Sequence, residues 1–248
     1  MDTFKPIGLF RTRLLFLRFF FPILIGGIVL PSWQCLSATI VLDPGHGGKD
    51  GGAGGGGEFS ENQFAMTLAQ TVAGLLGARH QVVLTRTADI EMSPPGRAAV
   101  ANHRKADLMI SLHAAVAPYC GSRSATIYYY SDEHLAFPAD LSVRTDFTES
   151  GSDRPTWTML QARHNHQSQL LADTFRRSLV QTAAFDRVTV RGAPLVTLMG
   201  ADLPAILLEV GCLRPKTEPD PRVHSRLLND YAESIAKAIE SLSPSLRP

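Results

Sequence analysis

A chain of 248 residues with 44% hydrophobic and 19% charged side chains has room for one sizeable domain with a real core. Its formal net charge of +1 conceals an asymmetry: residues 1–38 hold Lys5, Arg11, Arg13 and Arg18 against Asp2 alone, and the remainder carries 20 basic and 22 acidic side chains. That balance excludes a basic nucleic-acid surface, so no nucleic-acid partner is expected.

Residues 1–38 have the layout of an export signal. A basic stretch precedes the apolar run Phe19–Leu30, and Ser37 and Ala38 offer small residues for cleavage. The run is shorter than the roughly 20 residues a spanning helix needs, which favours a cleaved secretory signal. An uncleaved membrane anchor that also uses Leu14–Leu17 is the competing reading. On either reading the domain works outside the cytoplasm, in the periplasm or secreted, and touches a membrane only through this segment.

From Thr39 onward, strands alternate with helices. Ile40-Val41-Leu42 is a short buried strand stopped by Asp43-Pro44-Gly45, with His46 at the tip of a glycine-rich turn. Residues 51–57 form a glycine-rich link, and no Gly-Lys-Ser/Thr follows to make it a phosphate cradle. Ser60 and Gln63 have capping-box spacing. Phe64, Leu68, Val72, Leu75 and Leu76 then recur at helical period, with Glu61 at the first helical position. Gln81–Thr85 reads as a strand, Pro94-Pro95 as a break, and Arg97–Arg104 as a short helix. Leu108–Leu112 is a buried strand followed by His113, and Ala125–Tyr130 is another.

Residues 131–155 read as a long polar loop. The pattern from Trp157 to Ala184 predicts one long helix, and Val188–Val190 and Pro194–Leu198 read as short extended pieces. Pro204–Gly211 is a strongly buried strand carrying Glu209 at its end, and a helix from about His224 to Leu242 closes the chain. The alternation predicts an α/β fold, a three-layer αβα sandwich around a mostly parallel sheet.

Polar groups in such sheets gather at the carboxyl edge of the strands. His46, His113 and Glu209 each follow an apolar strand, and Glu61 opens the helix that leaves the first of them. Two histidines and a carboxylate with an open fourth position make a catalytic zinc arrangement, and a further glutamate supplies proton chemistry. Taken singly the signals are ordinary. A histidine after a strand is usually a surface or core residue, and a glutamate at a helix start merely complements the helix dipole. Glu209 stands out because an unpaired buried charge is costly.

From Thr39 to Leu242 the sequence resembles the type-3 family of zinc-dependent N-acetylmuramoyl-L-alanine amidases. The residues that carry the resemblance are Asp43-Pro44-Gly45-His46-Gly47-Gly48, Glu61, Arg97–Asn102 with Ala106-Asp107-Leu108, Ser111-Leu112-His113-Ala114, and Leu203–Gly211. The resemblance implies that residues 39–243 are the catalytic domain, with 244–248 a tail, and that its sheet has about six strands. It implies that His46, Glu61 and His113 bind one zinc ion and that Glu209 is the catalytic carboxylate. It also implies cleavage, in peptidoglycan, of the amide between the muramic acid lactyl group and L-alanine. Glu58 is the rival third ligand.

A zinc peptidase or other amidohydrolase and a non-catalytic wall-binding homologue are the alternative functions. No wall-binding module is visible, so targeting falls to the catalytic domain or a partner. A protein activator is a candidate, and the 131–155 loop a candidate gate, though it shows no inhibitory helix. The family commonly has Asn or Asp where Ala115 stands, Phe at Cys212, and Ser-Asn at Arg214-Pro215. These departures bear on the shape of the substrate site and on stem-peptide preference. Cys120 and Cys212 follow the strands that bear His113 and Glu209, and in an exported protein they are a candidate disulfide. His80, His103, His134 and His224 read as exposed, and His164-Asn165-His166 lacks the context of a nuclease motif.

Overall fold

Six short apolar runs supply the strands, and their mutual pairing fixes the architecture. The computed structural model describes Met1 and residues 37–53, 60–116, 123–131, 157–213 and 221–242, all below belonging to the unit that begins at Cys35. In chain order the elements are β1 (Thr39–Pro44), α1 (Glu61–Leu76), β2 (Gln81–Leu84), α2 (Pro94–His103), β3 (Leu108–Val116), β4 (Ser124–Tyr130), α3 (Trp157–Ala162), α4 (Asn165–Leu179), β5 (Arg187–Ala193), β6 (Ala205–Leu213) and α5 (Pro221–Glu240). The signal or anchor segment, Glu58, Cys120, the 131–155 loop beyond Ser131, His134, Arg214-Pro215 and the side chains of Ala115, Cys212 and His224 lie outside the described residues.

The strands form one sheet in the order β2-β1-β3-β6-β4-β5. Only the β4–β6 pairing is antiparallel, so the sheet is mostly parallel and six-stranded, as expected. Buried on both faces, β1 and β3 read as near-continuous apolar runs. Ile40, Leu42, Ile110, Leu112 and Leu208 face α1, α4 and α5 through Leu68, Val72, Leu171, Phe175, Ile235 and Ile239. Val41, Met109 and Leu207 face the other way, against Ala98 and Ala101 of α2 and against Leu198. Helix, sheet and helix thus make the three layers. Among the described residues no helix is long and apolar enough to cross a membrane.

Several local expectations shift. Pro94 and Pro95 open α2 rather than break the chain before it. Proline lacks an N–H that the first turn would leave unpaired, and the Ser93 hydroxyl accepts from Gly96 N. The stretch expected as one helix from Trp157 is two. The interruption falls at Arg163-His164, where both side chains pair with Asp202, while the Gln161 side-chain oxygen accepts from the Ser168 hydroxyl and its NH2 donates to the Ala201 carbonyl. Pro194–Leu198 is no strand: Leu198 and Met199 donate back to the Leu195 carbonyl, and the turn plants Leu198 in the core. Leu75 points outward, because Val72 and Leu76, one turn apart, already fill the inner face of α1.

Candidate active site

The turn after β1 is held from below by a buried ionic cluster. Asp43, wholly buried, accepts from Thr85 Oγ1 at 2.6 Å, Ser111 Oγ at 2.7 Å and Arg97 Nη1 at 2.7 Å. Arg97 also donates to the carbonyls of Pro44 and His46, each at 2.7 Å. Arg86, equally buried, donates to the carbonyls of Pro44 at 3.0 Å and Gly45 at 2.7 Å. Two guanidiniums therefore grip three consecutive carbonyls. They hold His46 in the left-handed region, at φ +58, a conformation that costs a non-glycine residue about 1–2 kcal/mol.

Glu61 reaches the same point from α1. Ser60 has N-cap backbone geometry, but its hydroxyl bonds to Asn62 Oδ1 rather than capping the helix, so the expected capping box does not form. The glycine-rich loop satisfies the first turn instead: Glu61 N donates to Ala53 O and Asn62 N to Gly51 O, both at 3.2 Å. The loop closes on the carboxylate as Ala53 N donates to Glu61 Oε2 at 2.8 Å. Gly52, at φ +68, sits where a Cβ would lie 2.7 Å from that oxygen.

β3 continues past Leu112, so His113 lies within the strand and not beyond it. The ladder carries on because β6 also continues, pairing His113 with Glu209. Glu61 Oε1 lies 3.0 Å from His46 Nε2 and 2.8 Å from His113 Nδ1. The two rings meet edge to face with centroids 4.8 Å apart. Gly45 makes room for this: a Cβ there would lie 2.4 Å from His113 Cε1. His113 Nε2 is buried without a hydrogen-bond partner.

The electrostatics follow from this convergence. Burial alone would raise the Glu61 carboxyl, but hydrogen bonds from His113, His46 and Ala53 N outweigh it and hold the group well below the usual carboxylate range. Glu61 raises His46 in turn, against the opposing effect of burial and with help from Asp50, whose carboxylate lies 2.8 Å from His46 Nδ1. Carboxylates at both ring nitrogens favour the doubly protonated form of His46. His46, Glu61 and His113 would hold a metal ion there in place of the Nε2 proton, with Nδ1–H of His46 left to donate to Asp50, the usual partner arrangement of a ligating histidine.

The donors of His46, Glu61 and His113 all lie within 4.8 Å of one another. Donors around one tetrahedral zinc ion stand about 3.3 Å apart, given ligand distances of about 2.0–2.1 Å. The two nitrogen–oxygen distances here are close to that, and the oxygen and nitrogen donor set suits zinc.

Glu209 occupies the neighbouring strand at the same level. Burial is the main influence and lifts its carboxyl above the ordinary range; His113 pulls it down, Glu61 pushes it up, and the Tyr128 hydroxyl donates to it. The structure therefore brings His46, Glu61 and His113 into one cluster, with Glu209 beside it. Sequence reasoning passed over Asp50, Arg86 and Tyr128. A carboxylate four residues after a candidate ligand was a readable signal for Asp50, whereas nothing local marks Arg86 or Tyr128. His164 pairs with Asp202 and His166 is exposed, consistent with the nuclease spelling carrying no site.

Known proteins share this arrangement of elements. The endolysin of Bacillus phage SPP1 is 28% identical across 84% of this chain and 66% of its own length. The probable N-acetylmuramoyl-L-alanine amidase AmiB of Haemophilus influenzae is 26% identical across 92% of this chain and 55% of its own. The chain thus spans little more than half to two thirds of the length of these relatives. Among solved structures, the N-acetylmuramoyl-L-alanine amidase AmiC2 of Nostoc punctiforme superposes with a TM-score of 0.56 at 25% identity, over 82% of this chain and 95% of that one. Residues 40–241 match the model of the type-3 amidase family, described as N-acetylmuramoyl-L-alanine amidase, and the chain belongs to that family.

Proposed function

We propose that this protein is an exported, zinc-dependent N-acetylmuramoyl-L-alanine amidase. It hydrolyses the amide between the lactyl group of N-acetylmuramic acid and the L-alanine of the peptidoglycan stem peptide, and so remodels the cell wall. The observation that carries the reading is the convergence of His46 Nε2 and His113 Nδ1 on Glu61 Oε1, with Glu209 on the adjoining strand. His46, Glu61 and His113 hold the ion. When bound, zinc supplies Lewis acidity, bringing water's pKa from about 15.7 to roughly 7 and polarising a carbonyl.

Glu209 takes a proton from the attacking water as its oxygen bonds to the lactyl carbonyl carbon. It then delivers that proton to the departing nitrogen as the carbon–nitrogen bond breaks. A partly buried carboxylate with a raised affinity for protons suits both halves of this exchange. Tyr128 orients Glu209 through its hydroxyl, and Asp50 orients His46. The export of the chain through residues 1–38, as signal or anchor, belongs to the same reading.

Digestion of purified sacculi by the zinc-loaded protein tests it. Release of stem peptides with a free L-alanine amino terminus is the expected result. Cuts within the peptide would instead identify a zinc peptidase, and no release would identify a wall-binding homologue.

A further inference from the structure

The row of the sheet that carries His113 and Glu209 continues across β4 and β5, where the reaction as described does not use Thr126, Thr189 or Arg191. His113, Glu209, Thr126 and Thr189 are register partners across β3, β6, β4 and β5, so they form one row on one face. Thr189 Oγ1 lies 3.2 Å from Thr126 Oγ1, which places both hydroxyls on the same side. Two residues on, Tyr128 and Arg191 are partners and share that face. Thr126, Tyr128 and Thr189 are half-buried, whereas Arg191 is exposed on the edge strand. No carboxylate among the described residues forms an ion pair with Arg191. Its charge nonetheless reaches the site, where it offsets a part of the rise that burial imposes on Glu209 and Tyr128.

We propose that Arg191 is a specificity-determining residue that binds the free α-carboxylate of the stem-peptide residue after L-alanine, across the Thr126–Thr189 face. The inference rests on the amidase reading above. Ideal sheet spacing puts the Cα atoms of Glu209 and Arg191 about 12 Å apart, two strands across and two residues along. The side chains shorten that separation from both ends. A carboxylate one residue beyond the scissile amide stands about 7 Å from it in an extended chain. A guanidinium recognises a carboxylate through paired, charge-assisted hydrogen bonds, which the corresponding amide cannot match. In its ionised form Glu209 repels the same carboxylate, which favours placing it toward Arg191.

The test compares two N-acetylmuramoyl peptides that differ only in whether the second residue carries a free or an amidated α-carboxyl group. The zinc-loaded protein is expected to show a kcat/KM about tenfold higher for the free acid, carried by KM. Arg191→Gln is expected to bring the ratio close to one, and Arg191→Lys to restore part of it. Calorimetry on zinc-loaded Glu209→Gln reads the same preference as binding. Equal handling of the two peptides by the unaltered protein would overturn the inference and leave the amidase reading standing. An equal loss on both peptides in Arg191→Gln, with Arg191→Lys no better, would also overturn it, since that marks a structural role. Selective binding without hydrolysis would sustain the inference and count against the amidase.

Discussion

Arg97→Ala is the substitution on which the architecture of the site makes its firmest demand. Arg97 is 5% exposed and Asp43 0% exposed, and the guanidinium lies 2.7 Å from the carboxylate. Removing one partner of a buried ion pair costs about 3–5 kcal/mol, because the other charge is left uncompensated. Asp43 keeps the Thr85 and Ser111 hydroxyls, which argues for the lower part of that range. The Pro44 carbonyl keeps Arg86, whereas the His46 carbonyl loses its Arg97 donor. The expected loss is therefore about 3–4 kcal/mol, or roughly 6–16 °C in Tm for a domain of this size.

Urea unfolding of the metal-free protein measures the loss, and a double-mutant cycle with Asp43→Asn isolates the pair. The same substitution loosens the left-handed turn at His46, so zinc affinity is expected to fall about tenfold, given the roughly 1–2 kcal/mol of strain that Arg97 helps to hold. A loss below about 1 kcal/mol, or a cycle with no coupling, would refute the reasoning, since either result means that Asp43 and Arg97 are not mutually dependent.

Glu209→Gln is expected to bind zinc stoichiometrically while losing about 10²–10⁴-fold in kcat, and His46→Ala to lose both metal and activity; metal analysis alongside turnover separates the two effects. Gly45→Ala drives a methyl group into the His113 ring, so it is expected to weaken zinc binding more than it lowers Tm, as paired titration and melting would show. Without metal, the raised His46 contributes stability that is complete below about 6.5, its ordinary value, and is lost as pH climbs through its folded value; the lowered Glu61 contributes above about 4.5 and is lost as pH falls through its folded value. The chelated protein is therefore expected to lose stability as pH rises above about 6.5, while zinc affinity rises over the same interval as the ring sheds its proton. Melting and zinc titration between pH 5 and pH 9, chosen as about two units either side of neutrality, should give opposite slopes.

The layer order and the strand count were readable because apolar runs such as Ile40–Leu42 and Leu108–Leu112 admit little besides buried strands. Strand ends were less legible. His113 looked like a residue beyond its strand, since a polar residue after an apolar run resembles a stop; only the partner strand, which carries Glu209, reveals that the ladder continues through it. The four site candidates were readable as types in suggestive places, yet their convergence depends on Arg86 and Arg97 gripping the Pro44–His46 carbonyls. Such contacts join residues more than 40 positions apart and leave no local pattern. The break near His164 was invisible for a similar reason, because Asp202, which engages both side chains there, lies far along the chain.

The pairing of His113 with Glu209 has a mechanical consequence. The two residues face each other across one hydrogen-bonded ladder between the central strands β3 and β6, so thermal motion carries both together. Sites built on strands hold their dimensions more tightly than sites built on loops. His46 and the loop that closes on Glu61 belong to the second kind. On the proposed reading, compliance would be distributed unevenly around the site: the strand wall that carries His113 and Glu209 would be stiff, while the wall that carries His46 would yield as a substrate seats. Changes on the loop side should therefore alter which amides are accepted, and changes on the strand side should alter how fast any amide is cut.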